Sequence, residues 1–325
     1  MKVRGPFVSM PYSGISTFLK APLVEEFSRA SRESIAVLGV PFDEATTNRP
    51  GTRFGPRAIR EASLVYAYWK NGEIFDRGHG RKGLFDIETG QTILAGIRLV
   101  DAGDVPISPV SLDETYRRIT ESVSAIIQAG VFPLVLGGDH SITYPVVRGF
   151  AGAGENLWVL QLDSHLDTIT ELDGSEFTHA SPMKHLRSLS FVESVFHAGM
   201  RGILADEDVL EEVAAVGGTV VTTAEILRDG IDGIVSRMPA LRKCYVTIDI
   251  DLFDPSIAPG TGVPEPGGLG FRDVNAVLRK VAESYEVVGF DIVEVNPLYD
   301  STGITSLLAA RTAIDFLGAI CSQKT

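Results

Sequence analysis

Three short stretches carry the residues that could do chemistry. Trp158-Val-Leu-Gln-Leu162 is a largely apolar run that leads into Asp163, His165 and Asp167, spaced i, i+2 and i+4. Read as a strand end, that spacing puts three polar side chains on one face. Cys244-Tyr-Val-Thr-Ile-Asp-Ile-Asp251 repeats the design and ends in Asp249 and Asp251. A third run, Val131 to Leu136, passes into Gly137-Gly-Asp-His140-Ser141. Four carboxylates and two imidazoles cannot converge beside an apolar core unless something cationic neutralises them. His140, Asp163, His165, Asp167, Asp249 and Asp251 form a hard oxygen and nitrogen set without thiolate, suited to Mn, Fe, Ni, Co or Zn. Two divalent ions would offset the four carboxylates, and a pair ~3.5–4 Å apart lowers the pKa of a water between them. Taken singly, each piece reads as well as a solvated D-x-D strand end, or as a turn in which Asp139 caps the following helix. Their arrival at three successive strand ends favours a shared site.

The elements that must position these residues alternate in type. Strands are expected from Ser34 to Gly39, from Ile97 to Asp101, at 131–136 and 158–162, and at 194–199, 219–222, 243–250 and 286–293. Helices are expected from Pro56 through Ala62, from Leu112 to Ala129 with a stop at Gly130, from Ser141 toward Phe150, and at 205–215, 271–284 and 303–319. Such alternation predicts an α/β fold with a mainly parallel sheet covered by helices on both faces, its sites lying outside the carboxyl ends of the strands. Residues 1–34 read as an N-terminal arm lying on the surface or on a neighbouring subunit, and 35–325 as a single domain. Residues 71–95 read as an irregular excursion or hairpin, with His79 a turn residue. In the loop PFDEATTNRPGTRFGP, Asn48, Arg49 and Arg53 are divided between local hydrogen bonding and a place at the rim of the site.

At 325 residues the chain can bury a large core, and its formal charge of −13 argues against a nucleic-acid or anionic-membrane surface. Its two cysteines, Cys244 and Cys321, form no C-x-x-C pair, so neither a disulfide scaffold nor a thiolate metal site is expected. The first residues lack a signal-peptide core and no ~18-residue apolar run suggests a membrane span, which makes a cytoplasmic setting the default expectation.

Gly137-Gly-Asp-His140, Asp163-Ser-His-Leu-Asp167 and Asp249-Ile-Asp-Leu-Phe-Asp-Pro-Ser-Ile-Ala-Pro-Gly-Thr-Gly262 together resemble the three signature segments of the ureohydrolases, the family of arginase, agmatinase and guanidino-acid hydrolases. The resemblance extends through GVPFDEATTNRPGTRFGPRAIREAS, DAGDV, Pro264-Glu-Pro-Gly-Gly268 and Asp291-Ile-Val-Glu-Val-Asn-Pro297, and the APGTG form is closest to the agmatinase branch. It implies an arginase-like three-layer α/β/α sandwich. It also implies one metal held by His140, Asp163, Asp167 and Asp249 and a second by His165, Asp163, Asp249 and Asp251, with Asp163 and Asp249 bridging. Manganese is the usual ion, with nickel in some guanidine-directed members. Glu294 matches the carboxylate that receives the substrate guanidinium, a pairing that planar geometry favours. His179 resembles the histidine that shuttles protons; His185 and His197 are read as structural.

The reaction implied is attack on a guanidino carbon by a water that Asp167 orients, with release of urea and an amine. A small cationic guanidino substrate is expected, agmatine first, then guanidine or an alkylguanidine, then guanidino acids. Glu171, Asp173 and Glu176, in a loop without Lys or Arg, point weakly toward a cationic or neutral tail. Two departures from the family pattern, Ser164 for alanine and Ala180 for glycine, put the standard substrate in question. The rival readings are a one-metal zinc deacylase, a formimino-group hydrolase, and a non-catalytic subunit of a hetero-oligomer. Family resemblance implies a homotrimer or homohexamer.

Overall fold

The structure, a computed structural model, describes residues 12–26, 34–67, 75–76, 80–81, 83–203 and 208–323. Its centre is an eight-stranded sheet made of β1 (Ser34–Val40), β2 (Arg98–Asp104), β3 (Phe132–Gly137), β4 (Leu157–Leu162), β5 (Val192–Met200), β6 (Thr219–Thr222), β7 (Lys243–Asp249) and β8 (Glu286–Val293). The order across the sheet is β6-β5-β4-β7-β8-β3-β1-β2, and every neighbouring pair is parallel. A parallel sheet needs a crossover between strands, and eight α-helices among the described residues supply the cover: α1 (Gly55–Ser63), α2 (Leu112–Gln128), α3 (Thr143–Arg148), α4 (Pro182–Leu186), α5 (Val209–Ala215), α6 (Thr223–Val235), α7 (Phe271–Ser284) and α8 (Ile304–Ser322).

Strand period sorts the core into two layers. Leu134 and Leu136, Leu160 and Leu162, and Val246 and Ile248 join the helix residues Ile59, Ile226, Leu278 and Phe316 on one side. Residues of the opposite parity on the same strands, Val135, Val159 and Tyr245, join Ile119, Val123, Val146 and Met183 on the other. The architecture is therefore the three-layer sandwich expected. Helix α8 is long and apolar enough to cross a membrane by length and composition, contrary to the expectation of no such run, but 72% of that stretch is buried inside the protein, the packing of a core helix.

Local chemistry explains the ends. Helix α2 starts where the Ser111 hydroxyl accepts from Glu114 N at 3.2 Å, with Asp113 and Glu114 in its first turn, and gives way to Gly130 at φ +72°. Helix α6 lies where no helix was expected; Thr222 and Glu225 close a capping box at its start, a T-x-x-E signal that the reading passed over. Strand β2 runs three residues beyond Asp101 because Arg60, almost fully buried on α1, clamps it: Nε donates to Asp101 Oδ2 at 2.9 Å, NH1 to Asp104 Oδ1 at 2.6 Å and NH2 to the Gly103 carbonyl at 2.8 Å.

The described part of the N-terminal segment, residues 12–26, is anchored to the body of the protein. Phe18 and Leu19 are fully buried, the Phe18 amide donates to Asp101 at 2.8 Å and the Leu19 amide to Ser63 at 2.8 Å. Two short antiparallel pairs, Phe75–Asp76 with Gly80–Arg81 and Leu84–Asp86 with Gln91–Ile93, occupy the expected excursion. His79 lies outside the described residues.

Candidate metal centre and substrate pocket

The four central strands β3, β8, β7 and β4 are adjacent in the sheet, so their carboxyl ends bring together residues separated by up to 154 positions in the chain. After β3 the backbone turns sharply at Gly138, φ +35°, where a Cβ would stand 2.6 Å from the carbonyls of Val40 and Phe42; only glycine fits. Asp139 caps the next turn, accepting from Ser141 N at 3.0 Å and from the Ala45 amide at 3.1 Å, and this sets the angle at which His140 enters the site.

His140 Nδ1 lies 3.0 Å from Asp163 Oδ2, 2.8 Å from Asp167 Oδ2 and 3.3 Å from Asp249 Oδ2. Its other nitrogen, Nε2, is 2.9 Å from Thr247 Oγ1, and that hydroxyl donates to Asp291 Oδ1 at 2.6 Å. A hydroxyl has one proton to give, so Nε2 carries the imidazole proton and donates to Thr247. The Nδ1 lone pair then faces three carboxylate oxygens, all acceptors, and Nδ1 is a buried atom without a hydrogen-bond partner. A bound cation would satisfy the lone pair and the carboxylates together.

A second group forms alongside. His165 Nδ1 is 3.0 Å from Asp251 Oδ2 and 3.7 Å from Asp163 Oδ1. Donor atoms of His140, Asp163 and Asp167, and separately of Asp163, His165 and Asp251, lie within 4.8 Å of one another, so Asp163 belongs to both groups. Asp249 reaches the first group through Oδ2 and accepts from the Asp251 amide through Oδ1 at 2.8 Å. Burial, and then the charges of their neighbours, push Asp163 and Asp249 above the ordinary carboxylate range. Burial opposes protonation of His165, yet the hydrogen bond and charge of Asp251 outweigh it and hold the imidazolium up at about 10. Ser164, at the position where alanine is usual, adds a hydroxyl that donates to Asp251 Oδ1 at 2.8 Å.

Glu294 follows β8 at φ +62°, and Asp167 sits at φ +51°; both are non-glycine residues in the left-handed region, where strain tends to mark function. Glu294 Oε1 accepts from the His140 amide at 2.9 Å and lies 3.1 Å from His179 Nδ1. Glu294 Oε2 is buried with no partner. In the imidazolium form His179 donates from Nδ1 to Glu294 Oε1 and from Nε2 to Thr47 Oγ1 at 2.7 Å. Burial lowers the affinity of His179 for a proton, but Glu294 more than compensates and raises it to about 9.

These residues open onto a cavity of about 420 Å³, lined by His165, Asp167, His179, Asp249, Asp251 and Glu294 among others. Its wall also carries Thr168, Ile169, Thr170 and Val263, and the acidic Asp208 and Glu212 at the start of α5; no lysine or arginine occurs among the described lining residues.

The structure brings all six expected metal ligands, His179 and Glu294 to one place. Glu171, Asp173 and Glu176 do not line the cavity: all three are exposed in their loop, and the acids on the wall come from α5 instead. Of the loop residues left open, Arg53 pairs with Asp43, Arg49 lies 5.0 Å over the Tyr299 ring, and Asn48 donates to the Gly262 carbonyl at 3.0 Å. The contact to the site comes from their neighbour Thr47. His185 stacks on Phe177 at 4.3 Å and bonds the Glu176 carbonyl. Thr247 and Asp291, which orient His140, were passed over because each looks like one more polar residue in an apolar strand.

Comparison with known proteins agrees with this arrangement. Residues 33–318 match the arginase family. Proclavaminate amidinohydrolase of Streptomyces clavuligerus is 36% identical over 95% of this chain and 94% of its own length. A solved structure of proclavaminate amidino hydrolase from that organism superposes with a TM-score of 0.83 at 34% identity, covering 96% of this chain and 99% of the other. The mitochondrial guanidino acid hydrolase of Homo sapiens is 33% identical over 98% of this chain and 86% of its own, and the mitochondrial agmatinase of Gallus gallus 32% over 98% and 89%. With a family match across most of its length, the parallel sheet and the clustered donors at its carboxyl edge, this chain belongs to the arginase family and is a hydrolase of amidino C–N bonds.

Proposed function

We propose that this protein cleaves a small guanidino compound with a cationic or neutral tail, agmatine before others, to urea and an amine. The observation that carries the reading is Glu294 Oε2, a buried carboxylate oxygen without a partner, lining a cavity shared with the metal-type donors. A planar guanidinium is the cation that a carboxylate holds best in a fixed orientation.

His140, Asp163, Asp167 and Asp249 would hold one divalent ion and His165, Asp163, Asp249 and Asp251 the other, manganese first and nickel second. Such a pair, when bound, supplies positive charge and lowers the pKa of water toward neutrality. Glu294 orients the guanidinium so that its carbon faces the donor cluster. Asp167 accepts a hydrogen bond from the attacking water and sets its direction. His179, with a proton at Nδ1 and a pKa near 9, donates to the departing amine and regains its proton from solvent. Asp208 and Glu212 lie on the same cavity wall and favour an ammonium over a carboxylate tail.

The test is urea release across agmatine, guanidine, methylguanidine, 3-guanidinopropionate and 4-guanidinobutyrate, with protein loaded separately with Mn²⁺ and Ni²⁺. Agmatine is expected to give the highest kcat/KM. Faster turnover of 4-guanidinobutyrate overturns the substrate assignment, and formamide or ammonia in place of urea overturns the reaction.

A further inference from the structure

Two polar side chains sit buried among apolar neighbours in adjacent strands. Gln161 on β4 and His197 on β5 are fully buried and face each other at paired positions of the sheet. Beyond His197 lies Arg187, just after α4, half-buried and in no ion pair among the described residues. Buried polar groups without a metal or substrate to serve cost stability unless satisfied, and an uncompensated guanidinium beside them adds to that cost.

The hydrogen bonds among them run one way. Arg187 can only donate, so at 3.3 Å its NH2 gives a proton to His197 Nε2. His197 therefore carries its proton on Nδ1 and donates to Gln161 Oε1 at 2.5 Å. That fixes the amide: Gln161 Nε2 donates to Asp163 Oδ2 at 2.7 Å and to the His165 carbonyl at 3.0 Å. Burial and the Arg187 charge press His197 down to about 3, so it stays neutral and the direction of the chain cannot reverse near neutral pH. Asp163 Oδ1 meanwhile accepts from the His165 amide at 2.6 Å, so both oxygens of the carboxylate common to the two donor groups are pinned.

We propose that Arg187, His197 and Gln161 are positioning residues, a one-way donor relay that carries the influence of a surface cation through the sheet to Asp163 and holds that carboxylate in the orientation two metal ions require. Linked hydrogen bonds polarise one another, so the guanidinium strengthens the last donor in the chain. The inference rests on the metal reading of the site. Partners that orient metal ligands in this way change affinity by about 10- to 100-fold when removed.

The test uses the full chain stripped by chelation and titrated with Mn²⁺ alone, followed by calorimetry and by the exchange-coupled dimanganese signal in electron paramagnetic resonance. His197→Phe keeps the ring volume and removes both hydrogen bonds; His197→Gln keeps a donor and an acceptor and changes the shape. If the relay acts, H197F loses at least about tenfold in Mn²⁺ affinity and broadens the coupled signal, whereas H197Q stays within about threefold of the parent. Equal affinity of H197F and the parent overturns the proposal. So does a loss in H197Q as large as in H197F, since that is the signature of packing. Arg187→Met, at the half-buried end where folding is least at risk, is expected to weaken Mn²⁺ binding by a few-fold, and an unchanged affinity removes Arg187 from the relay. Should the parent itself take up fewer than two Mn²⁺, the metal reading fails, a result distinct from any of these.

Discussion

Glu294→Gln isolates the charge proposed to receive the guanidinium. The glutamine carbonyl takes the place of Oε1 and keeps the bond from the His140 amide, so its NH2 falls where the unpartnered Oε2 now faces the cavity. A donor then meets a donor. Two unit charges ~4 Å apart at an effective dielectric of ~20 attract by about 4 kcal/mol, and re-exposure of the empty pocket to water returns part of that, leaving about 2–4 kcal/mol. At about 1.4 kcal/mol per tenfold, kcat/KM for agmatine should fall roughly 30- to 1,000-fold. The assay is continuous urea release, with metal content measured on the same sample and the thermal midpoint compared with the parent. A loss below about threefold with both metals in place would refute the assignment of Glu294, because no uncharged amide can replace a carboxylate under a guanidinium at that cost.

Glu212→Lys places a cation on the cavity wall; because Glu212 is exposed, the change should act mainly on KM for agmatine, raising it about three- to tenfold and leaving guanidine turnover nearly unchanged, and equal effects on both substrates would argue against an ammonium site there. Metal binding should release protons. In chelated protein His165 keeps its proton until pH passes about 10, so Mn²⁺ must displace it below that pH, and affinity should climb with pH from 7 toward 10; calorimetry at pH 8 in buffers of different ionisation enthalpy reads the released protons, and none released would contradict the pairing of His165 with Asp251. Arg60→Met leaves the buried Asp101 carboxylate without its cation and should cost about 3–5 kcal/mol, seen as a lower midpoint in chemical denaturation, whereas a midpoint unchanged from the parent would make the clamp dispensable.

What could be read from the chain, and what could not, divides along physical lines. The candidate ligands at the ends of β3, β4 and β7 were readable because three apolar runs in succession end in carboxylates or imidazoles, whereas any one of them alone reads as a solvated strand end. Glu294 and His179 were readable only through resemblance, since neither stands in a local pattern that implies its role. Thr247 and Asp291 act from neighbouring strands on a histidine more than a hundred positions away, and such pairing has no local trace. Asp208 and Glu212 reach the cavity because the crossover after β5 swings α5 over it, and no spacing rule links them to Glu294. The burial of Phe18 and Leu19 was not readable because a short turn without periodicity carries no sign of what it packs against.

The order of the strands has a consequence for how the molecule comes into being. β3 and β4 follow one another in the chain, yet the two strands that separate them, β7 and β8, arrive last. Until these two are inserted, a nascent chain holds two half-sheets, β2-β1-β3 and β4-β5-β6, each with a raw apolar edge that later becomes the middle of the sheet. A polypeptide halted before Lys243 would thus be no weakened catalyst but two unjoined half-sheets. Their open edges favour aggregation, and the last quarter of translation is the interval in which they are covered.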